Sequence, residues 1–97
     1  MEHIDYFKLQ AKNLLKDFKT RFFDEKENFY NYKPKYFDII GIFLDFGIND
    51  DAENFKFTLM NAQHIVAKLA GFSKWNDLNS ADESGLQFAH RQFDKSI

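Results

Sequence analysis

Cysteine is absent from this sequence of 97 residues, and proline occurs only once. A chain without cysteine forms no disulfide, performs no thiolate catalysis and offers no cysteine-based zinc site. This usage is typical of a protein of a reducing compartment.

Long apolar runs are absent as well. No stretch approaches the roughly 20 apolar residues that a membrane span needs, and the start, Met1-Glu2-His3-Ile4-Asp5, has neither the basic end nor the apolar run of a secretory signal. The sequence therefore predicts a cytoplasmic protein that does not enter a membrane.

Reactive constellations at a recognised spacing are also missing. The three histidines, His3, His64 and His90, include no pair at metal-ligand spacing, and no serine has a base placed beside it. We therefore expect no catalytic residue, no cofactor and no metal site, and we predict that the protein is not an enzyme.

Aromatic residues are abundant. They make up 19% of the chain, with thirteen phenylalanines and four tyrosines, and apolar residues reach 44%. Each buried ring removes roughly 150–250 Å² from water, so this supply is enough for one core. The length suits a single domain over 1–97.

Charge is unevenly distributed along the chain, whose net charge is −2. Residues 1–36 hold eight Lys or Arg against six Asp or Glu, whereas residues 37–61 hold one against five. The front is mildly basic and the middle is acidic.

The first segment has the pattern of a long amphipathic helix over 2–24. Its apolar residues recur at helical steps and share one face: Ile4, Phe7, Ala11, Leu14, Leu15, Phe18 and Phe22. A row of four lysines flanks that face: Lys8, Lys12, Lys16 and Lys19. Such a row covers a helix edge with solvated amines or steers an acidic partner.

The middle of the chain is less regular. Residues 24–35 have mixed charge and no helical period, and Pro34 disfavours helix at Lys33, so we predict a connecting loop. Residues 36–46 fit a helix and a strand equally well. We favour a short buried helix because a lone strand would lack a partner in so helical a chain.

The second half contains a helix-turn-helix-like unit at 58–80. Thr58 is a predicted N-cap, Leu59, Ala62, Ile65, Val66 and Leu69 are predicted to face the core, and Gly71 is a predicted stop. Ser73 is then expected to cap a short helix carrying Trp75. Ser80 and Glu83 match a capping box that opens the last helix.

DNA recognition by the 58–80 unit is the alternative reading of this pattern. Ala67 and Gly71 have the spacing of a DNA-binding turn, but Asp77 stands where the second helix needs an apolar contact. The second helix also offers few donors for phosphates and bases. DNA binding is therefore the second hypothesis.

The segment from Ala62 to Leu78 resembles a pattern, A-Q-x3-A-x3-G-F-x2-W-x2-L, of an uncharacterised family of small bacterial proteins. The front, Tyr6 to Asp17, is similar to the helix that precedes the pattern in that family. The two stretches cover about a third of the chain. The resemblance implies a bacterial helical module and carries no activity, ligand or catalytic residue with it.

Together these patterns predict an all-α fold, a compact single-domain bundle of four or five helices in which the long N-terminal helix packs on the helix-turn-helix-like unit. The predicted function is a non-catalytic protein–protein interaction module, such as a small regulatory, antitoxin or immunity-type protein. Its expected partner-binding residues are Lys8, Lys12, Lys16, Lys19, Phe72 and Trp75. Alternatively, apolar surface that stays exposed in the monomer would form the interface of a homodimer.

Overall fold

The computed structural model describes residues 3–97, which form five helices and one two-stranded antiparallel sheet. The elements are α1 (His3–Phe18), β1 (Phe22–Asp24), β2 (Phe29–Asn31), α2 (Ile39–Asp45), α3 (Leu59–Leu69), α4 (Trp75–Asn79) and α5 (Glu83–Ser96). The protein is thus mostly helical, as predicted, but the all-α prediction is wrong in one respect: the chain contains a small hairpin.

Helix α1 is shorter than the predicted helix over 2–24, whose first residue, Glu2, lies outside the described residues. It ends at Phe18, and Phe22 at the end of the predicted stripe lies in β1 with 38% of its surface exposed. The remaining stripe is correct, because Phe7, Ala11 and Leu14 are fully buried.

The hairpin replaces most of the loop predicted at 24–35. Phe23 pairs with Tyr30, and Asp24 with Phe29. The Asp24 carboxylate accepts the backbone N–H groups of Lys26 and Glu27 at 3.1 and 3.3 Å. Asn28 takes the left-handed conformation, φ 58°, which asparagine tolerates better than most residues. Three-residue strands are too short for a recognisable alternation, and this turn chemistry was the only local signal.

A buried carboxylate joins α1 to the segment after the hairpin. Asp17 is 1% exposed, and it accepts three consecutive backbone N–H groups, from Lys35, Tyr36 and Phe37, at 2.9, 2.8 and 2.7 Å. Within the segment 36–46, residues Ile39–Asp45 form α2, so the helical reading is confirmed for that part. The helix is not buried as predicted, because Ile40 and Leu44 are 41% and 75% exposed. The Asp38 side chain caps α2 by accepting the N–H of Gly41 at 3.1 Å.

The ends of α3 follow the prediction. The Thr58 hydroxyl accepts the N–H of Asn61, and the Asn61 side chain accepts the N–H of Thr58, which completes a capping box. Gly71 follows the helix with φ +94°, a conformation that favours glycine. Leu59, predicted to face the core, is instead 37% exposed because it lies in the first turn.

The caps predicted for the last two helices are wrong. Lys74, one residue after Ser73, occupies the N-cap position of α4 and makes no side-chain capping bond. Helix α5 is capped by Asp82, whose carboxylate accepts the N–H of Gly85 at 2.8 Å. The hydroxyl of Ser80, the predicted cap, instead donates to the carbonyl oxygen of Asn76 at 2.6 Å.

The core lies where α1 packs against α3 and α5. Helix α2 also packs against α1. Its largest fully buried apolar side chains are Phe7, Leu14, Ile39, Val66, Leu78 and Phe93. The body is elongated, with extents of 47 × 21 × 18 Å. Within residues 3–97, no helix combines the length and apolar character that crossing a membrane requires.

Candidate docking groove

An apolar groove lies beside the first turns of α3. Its volume is about 490 Å³, and its lining residues are Phe46, Ile48, Phe55, Lys56, Phe57, Met60, Asn61, His64 and Ile65. Met60 is 76% exposed at its edge. The volume falls in the range of ligand and side-chain pockets, so an apolar anchor from another molecule fits here.

Aromatic rings form the base of the groove. Phe57, which lines it, lies 5.1 Å from Phe18 and 5.3 Å from Phe43, measured between ring centroids. Phe55 lies 5.8 and 6.0 Å from the same two rings. Tilted and edge-on contacts at these distances are favourable. The base is therefore a preformed part of the core, anchored on the last residue of α1.

Arg21 holds the wall opposite α3. One of its terminal nitrogens donates to the carbonyl oxygens of Asp50 and Ala52, each at 2.6 Å, and its guanidinium lies 3.6 Å from the centre of the Tyr30 ring. The acidic turn, residues 47–54, is thus tied to the hairpin. Ile48 and Phe55, on either side of that turn, are positioned as a consequence.

Tyr32 gives the turn a second anchor. Its hydroxyl donates to the carboxylate of Asp50 at 2.5 Å, and its side chain is buried. Burial first, and the hydrogen bond to Asp50 second, raise the pKa of Tyr32 above its ordinary value. The hydroxyl consequently stays a neutral donor throughout the physiological pH range.

A second, smaller cleft continues the groove along α3. Its volume is about 340 Å³, and it is lined by Met60, Gln63, His64, Lys74, Trp75 and Asn76. Met60 and His64 belong to both clefts. We call the two together the docking groove. Its lining includes Lys56 and Lys74 but no aspartate or glutamate, so the lining itself is cationic, although the acidic residues between Ile48 and Phe55 adjoin it.

The partner-binding residues predicted from the sequence do not lie together in the structure. Lys8, Lys12 and Lys16 are exposed on α1, Lys19 is exposed directly after it, and none of the four lines the docking groove. Trp75 lines its second cleft while its other side packs on the core. Phe72 is also half-buried against the core but does not line the groove.

Sequence reasoning missed most of the groove. Ile48, Phe55 and Phe57 come from segments without a helical period, Phe46 directly follows α2, and only the fold brings these residues beside Met60. One available signal was the adjacent pair Leu59 and Met60 at a helix start, since one helical face cannot bury both. A second was the alternation of Phe55 and Phe57 about Lys56.

Larger clusters of metal-binding side chains are absent from the described part of the chain. Residues 3–97 contain no group of three or more histidine, aspartate or glutamate side chains arranged to hold an ion. The groove itself contains a single histidine, His64, which is exposed.

Comparisons of the chain with protein-family models, with curated proteins and with solved structures found no match. The resemblance of residues 62–78 to a helical module of small bacterial proteins therefore stays a prediction.

Proposed function

We propose that the protein is a non-catalytic interaction module whose docking groove binds a segment of a protein partner. The observation that carries the proposal is the combination of an apolar floor that includes Phe55 and Phe57, an exposed Met60 at the edge, and a lining that contains Lys56 and Lys74 and no carboxylate. Protein–protein interfaces usually have desolvated anchor residues at their centre and polar or charged residues at their rim.

Charge complementarity specifies the partner segment. A cationic lining around an apolar floor suits a peptide segment that carries an apolar or aromatic anchor flanked by aspartate or glutamate. Met60 suits this use because its unbranched thioether side chain adapts to different anchor shapes. A segment lying along α3 would contact both clefts, so Trp75 keeps its proposed role as a partner contact.

The lysine row of α1 has a separate part in the proposal. Lys8, Lys12 and Lys16 on α1 and Lys19 directly after it are exposed, and their field attracts an acidic partner before contact. Charges of this kind raise the association rate more than the final affinity. A small regulatory, antitoxin or immunity-type protein would use such a combination of steering and anchoring.

The first test compares two charge insertions at exposed apolar residues. Met60→Glu places a carboxylate in the docking groove, whereas Phe88→Glu does so on α5, where Phe88 is 67% exposed and lies outside the groove. We expect the wild type to bind a short acidic peptide with a central phenylalanine, Met60→Glu to lose about tenfold or more in affinity, and Phe88→Glu to be unchanged.

Methionine methyl labelling gives this test a local readout. The chain has two methionines, Met1 and Met60, so the signal of Met60 is readily assigned by substitution. A peptide in the groove shifts that signal. Equal binding of a peptide with lysines in place of the acids, or equal losses in both variants, would contradict the proposal.

Nucleic-acid binding by the 58–80 unit has less support. Helix α4 spans five residues, about 7.5 Å at the rise of an α-helix, which gives a recognition helix little length for base contacts. A salt-dependent retention on DNA that the double variant Lys12→Glu/Lys16→Glu abolishes would favour this alternative. Absence of retention by the wild type at low salt would exclude it.

A further inference from the structure

Two histidines from opposite ends of the sequence meet where α1 begins. The Nδ1 atoms of His3, on α1, and His90, on α5, lie 3.1 Å apart. Their rings are nearly perpendicular, at 84°, with centroids separated by 5.2 Å. A converging pair of imidazole nitrogens is a common element of transition-metal sites.

The separation of the two nitrogens suits joint ligation of one ion. Imidazole nitrogens bind zinc at about 2.0–2.1 Å, so two of them at angles between square-planar and tetrahedral are about 2.8–3.4 Å apart. The observed 3.1 Å lies inside that interval. The same distance also accommodates one proton in an N–H···N hydrogen bond, which is the competing interpretation.

The far nitrogen of each ring faces a carboxylate. His3 Nε2 lies 3.6 Å from Glu83 Oε1, and His90 Nε2 lies 3.7 Å from Asp94 Oδ2. Metal-binding histidines typically donate their second N–H to such a group, which selects the tautomer that leaves the other nitrogen free for the ion. At these distances, which exceed that of a hydrogen bond, each carboxylate acts on the ring through its charge, and that charge favours the proton on Nε2 and leaves Nδ1 free.

Tyr6 orients one half of the pair. Its ring stacks on that of His90 with 3.9 Å between centroids, and its hydroxyl donates to Asp94 Oδ1 at 3.1 Å. Burial, followed by the contact with Asp94, raises the pKa of Tyr6 to about 12, so the hydroxyl remains a donor. His90 and Asp94 are thereby fixed by a residue that is not itself a ligand.

The surroundings carry the charge that a cation requires. Beside the two rings stand the carboxylates of Glu83 and Asp94 and the guanidinium of Arg91, which leaves one negative charge in excess when the imidazoles are neutral. An open cleft of about 360 Å³ lies against the pair. It provides room for the water molecules that complete the coordination of an ion with two protein ligands.

We propose that His3 and His90 together bind a divalent transition-metal ion of the zinc type through their Nδ1 atoms, with water in the remaining positions. This site is independent of the docking groove and of the proposed partner. It links the first turn of α1 to the middle of α5.

The test is titration of the full-length protein with Zn²⁺, followed through the nitrogen resonances of the imidazole rings. Zinc is the probe because it has no redox chemistry and binds imidazole nitrogen in tetrahedral sites. The chain has three histidines, and exposed His64 is the internal control. We expect the Nδ1 signals of His3 and His90 to shift together while His64 is unaffected.

Matched variants complete the experiment. His3→Gln and His90→Gln should each weaken zinc binding by more than about tenfold, and His64→Gln should leave it unchanged. His3 lies in the first turn of α1 and is only half-buried, so its replacement by glutamine should perturb the fold little. Zinc should also raise the melting temperature of the wild type but not of the His3 variant.

Three results would overturn the proposal. One is a zinc-induced shift of His64 as large as those of the pair, which would show adventitious binding only. Another is undiminished affinity in either the His3 or the His90 variant. The third is an N–H···N signal between the rings that persists at millimolar zinc, which would assign the contact to a shared proton.

Discussion

The helical core and the segment inserted into it are held together in different ways. The core consists of α1, α3 and α5, whose buried faces meet through apolar side chains such as Phe7, Val66 and Phe93. The insert, residues 19–58, contains the hairpin, α2 and the acidic turn. It shares a cluster of rings with the end of α1, but its path is set by three polar side chains, Asp17, Arg21 and Tyr32.

This difference shows how an irregular segment acquires one conformation. Regular helices satisfy their own backbone groups, so apolar packing is enough to place them. The insert has long stretches without the backbone hydrogen bonds of a helix or sheet, so its N–H and C=O groups need side chains as hydrogen-bond partners. The carboxylate of Asp17 and the guanidinium of Arg21 supply these partners to N–H groups and carbonyl oxygens, respectively. The groove wall depends on that arrangement.

The largest effect is expected at Asp17. Asp17→Ala leaves three backbone N–H groups near the core without an acceptor, and each costs about 1–3 kcal/mol when it is not solvated. We expect a loss of about 3–5 kcal/mol in the free energy of unfolding, measured by urea denaturation. Hydrogen exchange should accelerate first in residues 33–46, before the helical core opens.

Asp45→Ala is the matched control for Asp17, because Asp45 is an exposed aspartate of the insert at the end of α2. Its effect should stay within about 0.5 kcal/mol. A similarly small effect of Asp17→Ala would remove the distinction between the insert and the helical core.

A smaller effect, with a distinctive pH dependence, is expected at Tyr32. Tyr32→Phe removes a hydrogen bond to a carboxylate and should cost about 1.5–3 kcal/mol near neutral pH. Because the pKa of Tyr32 is raised in the folded protein above its ordinary value of 10.0, the folded state keeps its proton longer than the unfolded state. The stabilisation is therefore complete below pH 10 and is lost as the pH rises above it.

Urea denaturation at pH values from 8 to 12 tests whether stability falls in this direction with pH. The stability of the wild type should decline above about pH 10, and Tyr32→Phe should make the decline shallower. Tyr6, whose pKa is also raised, to about 12, contributes the part of the decline that remains in the variant. Identical profiles for both proteins would argue against a buried, neutral Tyr32.

The smallest effect concerns a helix cap in the second half of the chain. Thr58→Ala removes the side-chain acceptor for the N–H of Asn61 and should destabilise the protein by about 1 kcal/mol. Ser73→Ala is the natural control, since Ser73 has the residue type of a cap but α4 lacks a side-chain cap. Its effect should be within about 0.5 kcal/mol, and a larger loss at Ser73 would reverse this assignment.

Sequence patterns alone predicted the parts of the fold that depend on neighbours within one helical turn. The buried stripe of α1, the Thr58 cap and the stop at Gly71 were all readable because the groups that interact lie within a few positions of one another. Of the expected partner-binding residues, Trp75 lines the docking groove, and the lysine row is exposed elsewhere.

Only the tertiary structure decided the remaining features. Asp17 meets backbone groups 18 to 20 positions away, and His3 meets His90 across 87 positions. The groove likewise joins Phe46 to residues of α3. No local period or capping preference encodes such pairs, because their energies arise only after the helices have packed and brought distant side chains within bonding distance.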